Sequence, residues 1–580
     1  MQAGTGFPLV SSFRQVGPRL TAMTPVTTLP VMSEDPRRSS TTSAGWDALS
    51  RRDWRDAWGW FAAAAEHGED AEALEGLSWA AWWLDDVDAC IDARERAYRA
   101  YRDAGADRAA ARMALWLADD HADLRGEPAV AEGWLGRAAR LVADLEPCPE
   151  QGWLAVFTAH HALADGDPEV ALHHAREAVH VGRRHGRVDL EMFAVATEGV
   201  ARLRLGEVDA GLRRLSEAAT AALAGEYENL APAAWSCCLL LATCEDRREY
   251  DRGVQWCEQI ATFSERTNAR FLRGVCSAHY GAILAWYGRL EDAEGALLAA
   301  VDAISEQRPT WRPEALVRLG ELRRLQGHHD AAVALFESAL AHPLAQCGLA
   351  AVSLDRQDPA DARELLQRML RQLPPDDAAR RPDALELLVR AEVTLGDHEA
   401  ADHHAQELQR IAEQVDTAPL HAAASVAAGR VARGCGAHAD ACGRFEDAID
   451  LLLRCRAPLE AAAVRVELAE TLSALGRHET AVREARAALA GLGGVLPAER
   501  ARAEAVLARH GEGDAGDQPL TARQIEVLRL IAEGLSDQEV AEQLVLSEHT
   551  VHRHVANIYT RLGCSTRAAA VARATRLGAL

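Results

Sequence analysis

GAHADACGRFEDAIDLLLRCRAPLEAAAVRVELAETLSALGRHETAVREARAALAGL, residues 436–492, is the stretch whose reading decides the fold. Gly436 is followed five residues later by Ala441, and 40 residues on Gly476 is followed in the same way by Ala481. Between the two frames run amphipathic segments rich in Ala, Leu, Arg and Glu, all strong helix formers. A Gly at such a point supplies the left-handed residue that ends one helix. The small residue after it lets the next helix close against the first. Neither helix can bury its face alone, so each pair needs neighbours to stack on.

Working outward, the frame recurs at Gly126, Gly166, Gly206, Gly288, Gly327 and Gly396, with Ala131, Ala171, Gly211, Ala293, Ala332 and Ala401 five residues on. Arg248 to Gly253 and Gln357 to Ala362 keep the spacing without the leading Gly, and Arg52 to Ala57 and Leu84 to Ala89 are weaker frames that open the array. The steps from Leu84 are 42, 40, 40, 42, 40, 39, 30, 39, 40 and 40 residues, a regularity that marks a repeat array. The spacing predicts about twelve helix pairs from Gly45 to His510, an α-solenoid closed by a helix from about Pro497 to His510. The step of 30 marks a shortened unit near His342-Pro343, and Pro374, Pro375 and Pro382 a longer loop soon after. Half of the 14 Trp (46, 54, 58, 60, 79, 82, 83) fall in the first two units, as core filler or as a docking patch. In front, residues 1–44 are rich in Ser, Thr, Pro and Gly without a period and read as disordered, with Met23 and Met32 as alternative starts. Behind, GEGDAGDQP (511–519) reads as a flexible acidic linker.

Residues 520–580 break the repeat. Thr521 caps a first helix that places Ile525, Leu528 and Ile531 on one face and stops at Gly534. Ser536 caps a short second helix ending at Leu544, with Asp537 and Glu539 in its first turn, where the helix dipole favours acids. Ser547 caps a third helix whose Val551, Val555, Ile558 and Leu562 form one buried stripe, and a closing helix follows from Thr566 to Leu577. Two short helices joined by a tight turn, the second longer, is the helix-turn-helix pattern. The stripe leaves His549, His552, Arg553, Ala556, Asn557 and Thr560 on the open side. Residues 548–580 hold five Arg against one acid, +4, whereas 521–547 hold two Arg against five acids, −3. The positive half suits phosphate.

LTARQIEVLRLIAEGLSDQEVAEQLVLSEHTVHRHVANIYTRLG (520–563) resembles the DNA-binding domain of LuxR-type transcriptional regulators, whose pattern runs LT-x-RE-x-EVL, GLS-x-x-E-[IV]-A, S-x-x-TVK-x-H and LG. The resemblance covers about a tenth of the chain. It implies that Ser547, Thr550, His552, Arg553, His554, Ala556, Asn557, Thr560, Arg561 and Arg567 approach double-stranded DNA, with Arg553 the main cationic contact. It also implies a homodimer on DNA, packed through Ala570, Val571 and Ala574. Two departures stand out: His552 occupies the family's usual lysine position, and Gln524 a position where glutamate is common. The repeat region is similar to tetratricopeptide repeats in a ~40-residue form that resembles the helical region of large LuxR-type regulators. Related large regulators carry an ATP-binding module before such repeats; this chain has none.

Composition narrows the rest. The chain is 48% hydrophobic but only 5% aromatic, a helical and not a β-rich balance. Its net charge is −24; from Pro519 onward seven Arg against six acids give +1, which leaves near −25 on the body. The body should therefore repel nucleic acid and leave binding to the tail. All 63 basic residues are Arg, so the Gly-Lys-Ser/Thr of a P-loop and lysine Schiff-base chemistry are excluded. The 12 Cys lie scattered with no C-x-x-C, as small core hydrophobes in a reducing compartment. With no apolar leader and no apolar run of membrane-spanning length, the expected location is the cytoplasm, without membrane attachment.

No cofactor is expected. His549, His552 and His554 do not make a metal set, since 554 turns away on the helix and no Cys or acid joins them. No G-x-S-x-G, G-x-G-x-x-G or H-E-x-x-H occurs, so no enzyme is expected, and the acid pairs Asp85-Asp86 and Asp119-Asp120 read as solvated helix ends. The sequence thus predicts an all-α chain, a tetratricopeptide-like solenoid followed by a four-helix LuxR-type domain. Its expected function is a DNA-binding transcriptional regulator whose solenoid senses a protein or small-molecule signal. The alternative is a solenoid scaffold or adaptor with a weak or vestigial DNA-binding tail.

Overall fold

The computed structural model describes residues 40–66, 70–304, 311–340, 342–375, 377–378, 380–510, 520–544, 546–562, 564 and 566–576. Among them are 29 α-helices and no strand. The first 24 helices form twelve antiparallel pairs, a tetratricopeptide-like α-solenoid; the helix Pro497–His510 closes it, and four helices follow from Ala522 to Arg576. The linker 511–519 lies outside the described residues, as does most of the segment read as disordered. That segment ends earlier than expected: a helix spans Ser40–Ser50, with Thr42 and Gly45 buried in it. Thr42 Oγ1 donates to Asp70 Oδ2 at 2.9 Å, and Gly45 leaves room for the Phe61 ring.

The turn chemistry explains the period. Within each pair the connecting turn holds one residue at positive φ: Gly at eight turns, and Arg52, Asp85, Arg248 and Gln357 at the other four. One frame shifts by a residue. Leu84 is the helix cap at φ −89°, and Asp85, at φ 62°, takes the left-handed place. The fully buried small residue five positions on is then Cys90, not Ala89. Asp adopts this region at less cost than most side chains because its short polar group can bond locally.

A second device sits one turn further on. Phe61, Phe336 and Phe445 follow Ala57, Ala332 and Ala441 by four residues, so each ring lies over the preceding helix of its pair. Glycines make the space there, at Gly45, Gly320 and Gly429, and also on the first helix of the next pair, where a Cβ at Gly76 or Gly348 would come within 2.2 or 2.3 Å of the Phe61 or Phe336 ring. The tryptophans mostly fill the core as well. Trp54, Trp79 and Trp82 are buried and Trp60 is exposed, while Trp79 packs edge-on to Trp116 at 5.0 Å. Asp119-Asp120 is not a solvated end. Asp120 is fully buried and pairs with buried Arg94 at 2.7 Å, an arginine that also lies over the Trp79 ring. Nine of the 12 Cys are buried and all are free thiols.

Successive turns of the superhelix touch. Trp286 Nε1 donates to the Cys455 carbonyl at 3.2 Å, and Leu496 N to the Leu325 carbonyl at 2.8 Å. Arg248 pairs with Asp383 at 2.5 Å. These pairs lie 135–171 residues apart, about four repeats of chain. The shortened unit is visible as the nine-residue helix His329–Glu337. No helix among the described residues is long and apolar enough to cross a membrane.

Candidate nucleic-acid interface

The C-terminal unit is built by its caps. Thr521 and Gln524 cap each other, with Gln524 N donating to Thr521 Oγ1 at 3.2 Å and Thr521 N to Gln524 Oε1 at 3.1 Å. Gln524 therefore does the work that a glutamate would do there. Ser536 N and Oγ both donate to Glu539 Oε2 at 2.7 Å, which holds the second helix, Asp537–Leu544, to its start. These bonds keep the Glu539 carboxyl below the ordinary glutamate range. Thr550 N donates to Ser547 Oγ at 3.1 Å at the head of the third helix, Glu548–Leu562.

Hydrophobic burial fixes which way the third helix faces. Val551, Val555, Ile558 and Leu562 are buried with Val527, Leu528, Ile531 and Val540 in one core. That leaves His552, Ala556 and Asn557 exposed on the opposite side, with Ser547 exposed at the helix start. Thr550 is half-buried, its hydroxyl 2.6 Å from Ser547 Oγ. The side chains of Thr560 and Arg561 lie outside the described residues. Arg567 reaches back to the second helix, donating to the Leu535 carbonyl at 2.9 Å and pairing with Asp537. His552 Nδ1 also lies 2.8 Å from Asp537 Oδ2. Asp537 thus ties together the second helix, the third and the head of the last; its sequence position suggested only a helix-dipole role.

Two sets of the expected site residues make contacts within the chain itself. Ala570 and Ala574 are fully buried in the domain's own core and Val571 is half-buried against it, so the alanines expected at a dimer contact are used inside the domain. The exposed side of the helix Arg567–Arg576 carries Ala569, Ala572 and Arg573 instead. Arg553 does not stand open: its Nη2 pairs with Glu446 Oε2 of the solenoid at 2.6 Å. Burial alone would lower the Arg553 guanidinium, but Glu446, with Asp450 behind it, holds it firmly cationic, and Glu484 adds to the same field. His554 is half-buried beside it. Burial, reinforced by Arg553, Arg523 and Arg483, pushes its imidazole down to about 4, so it is neutral near pH 7. The solenoid therefore meets the third helix through Glu446 on the helix His438–Arg454, and Glu484 and Arg483 of the helix His478–Leu492 act on it through their charge. The sequence shows the body's net charge but gives no signal for this pairing.

Among the described residues the one group close enough to share a metal ion is His173, His174 and Glu177 on the solenoid; neither His552 nor His554 belongs to it.

Residues 518–574 match the family model described as "Bacterial regulatory proteins, luxR family". The chain is 47% identical over 55 residues to the Fimbriae Z protein of Salmonella typhimurium, 10% of its length and 26% of that protein's. It is 41% identical over 69 residues to the transcriptional regulatory protein LiaR of Bacillus subtilis, 12% of this chain and 33% of that one. It is 36% identical over 81 residues to a putative HTH-type transcriptional regulator of Mycobacterium bovis, 14% of this chain and 9% of that one. The chain thus spans a third or less of the length of these relatives. Among solved structures, the Cut9 and Hcn1 hetero-tetramer of APC/C is similar over 81% of this chain and 95% of its own, at 13% identity and TM-score 0.36. Yeast Tom70 is similar over 74% and 95%, at 13% identity and TM-score 0.33. Caps, core, open face and family match coincide on one segment: residues 518–574 are a LuxR-family helix-turn-helix domain, carried at the end of a tetratricopeptide-like solenoid.

Proposed function

We propose that the chain is a DNA-binding transcriptional regulator of the cytoplasm whose solenoid restrains its own DNA-binding helix and senses the signal that frees it. The observation that carries this reading is the division of the helix Glu548–Leu562. Its apolar stripe is buried, and His552, Ala556 and Asn557 stay exposed at positions that the family resemblance turns toward DNA. Short and polar side chains at those places suit a major-groove floor, and Arg553 suits phosphate or guanine. Arg553 is engaged with Glu446, so DNA must compete for it.

The magnitudes favour a weak restraint. Both side chains remain partly exposed, at 22% and 31%, and pairs in that setting are worth about 0.2–1 kcal/mol. A run of phosphates outbids that easily. A dimer would read two half-sites, and the exposed Ala569, Ala572 and Arg573 are the side of the last helix left for a second copy.

The same ion pair favours a second reading, a scaffold in which the solenoid has retired the helix for good. Selection of genomic fragments by the full chain separates them. The regulator reading expects Glu446→Gln to enrich a defined duplex more strongly than the native chain. Recovery of no duplex by either protein would favour the scaffold.

A further inference from the structure

We infer that the solenoid binds a small organic cation in the cavity between its superhelical turns, where Glu460 and Asp246 supply negative charge and Tyr250 and Trp286 an aromatic wall. This names a ligand class for the sensing role proposed above and rests on that reading. The cavity holds about 690 Å³, within the range of small-molecule sites, and is lined mainly by the first helices of successive pairs. It sits where one superhelical turn meets the next, since Trp286 bonds the Cys455 carbonyl just before the helix that carries Glu460.

Charge pairing singles out the ligand. The other seven acids of the wall each have a cationic partner: Glu245, for example, has Arg318 at 2.8 Å, and Glu467 has Arg433 at 2.5 Å. Glu460 and Asp246 have none among the described residues, and Glu460 Oε2 is buried without a hydrogen-bond partner. The wall carries seven arginines against nine acids. Arg248 takes Asp383 and Glu386, Arg204 donates to the Leu163 carbonyl, and Arg430 Nε lies 3.5 Å from Glu467 without a hydrogen bond. The unmet demand is therefore for positive charge.

The Tyr250 and Trp286 rings pack at 4.5 Å, and they line the same cavity as Glu460. A carboxylate beside aromatic faces is the chemistry that selects an ammonium or guanidinium. Burial pushes the Glu460 carboxyl up to about 8, partly offset by Arg248 and reinforced by Glu321 and Glu386. A cation binding near pH 7 would therefore expel a proton.

The test uses the full chain with putrescine, spermidine and agmatine as probes and citrate and glucose as controls, followed by thermal shift and by calorimetry in two buffers of different ionisation enthalpy. The expected result is saturable binding of at least one cation, with a buffer-dependent heat. Glu460→Gln should weaken it tenfold or more, and exposed Glu337→Gln should leave it unchanged. If Glu460→Gln proves unstable, Asp246→Asn takes its place, with the same expected weakening. Binding of no cation, equal binding of citrate or glucose, or full affinity in the cavity variants would overturn the site. No arm contains DNA, so loss of the site leaves the regulator reading to its own test.

Discussion

Arg553 of the helix-turn-helix domain and Glu446 of the solenoid form an ion pair at 2.6 Å, although 107 positions separate them in the chain. The pair joins the residue best suited to phosphate to a solenoid surface that also carries Asp450 and Glu484, so the solenoid imitates the ligand that the helix would otherwise seek. Neutralising Glu446 as Gln should raise the affinity of the full chain for DNA about two- to fivefold at low salt. Adding Asp450→Asn and Glu484→Gln should raise it further. A fluorescence-anisotropy titration checks this, and the gain should shrink as salt screens both contacts.

The left-handed turns give a stability prediction of opposite sign at two equivalent places. Gly436, at φ 79°, has open space where a methyl would stand, so Gly436→Ala isolates the backbone cost and should destabilise by about 1 kcal/mol. Gln357 already bears that cost at φ 64°, and Gln357→Gly should recover up to about 1 kcal/mol. Urea unfolding of both variants measures the difference.

Gly348 tests the packing device. A Cβ there would lie 2.3 Å from the Phe336 ring, so Gly348→Ala should cost about 1–3 kcal/mol through overpacking. Phe336→Leu in the same chain should return part of that loss, a non-additivity readable in a double-mutant cycle. Simple addition of the two costs would show that the ring and the glycine are not coupled.

Glu460 predicts a pH dependence. Its carboxyl is raised to about 8 in the folded chain, so its stabilising contribution is complete below the unfolded value near 4.5 and is lost as pH rises through about 8. Glu460→Gln removes that titration. The variant should match the native chain near pH 4.5 and exceed it at pH 9 by up to about 5 kcal/mol. Thermal unfolding across that range checks the sign.

Local features were legible in the sequence because short-range chemistry creates them. The repeat frame follows from a left-handed residue and a small one five positions later, and the caps of the C-terminal unit follow from Ser and Thr before apolar runs. Even the misplaced frame at Leu84 missed by only one residue, because Asp85 takes the glycine's conformation without being a glycine. The missed features depend on distant chain. Asp120 looked solvated because its partner, Arg94, belongs to the preceding helix pair. Small size suits a dimer seam and a tight core equally well, so the place of Ala570 and Ala574 in the domain core could not be read from sequence. Nothing in residues 436–460 announces that Glu446 meets Arg553 or that Glu460 is left without a cation; both follow from the superhelix closing on itself and on its tail.

The most direct test of the account compares Glu446→Gln with Glu446→Gln/Arg553→Ala, both full length, on a duplex recovered from genomic fragments. With the restraint neutralised in both, any difference belongs to Arg553 on DNA. The account predicts a loss of about 1–3 kcal/mol, roughly 5- to 150-fold in Kd, with a shallower salt slope. Equal affinity and equal slope would contradict it and show that the third helix does not meet the duplex through this side.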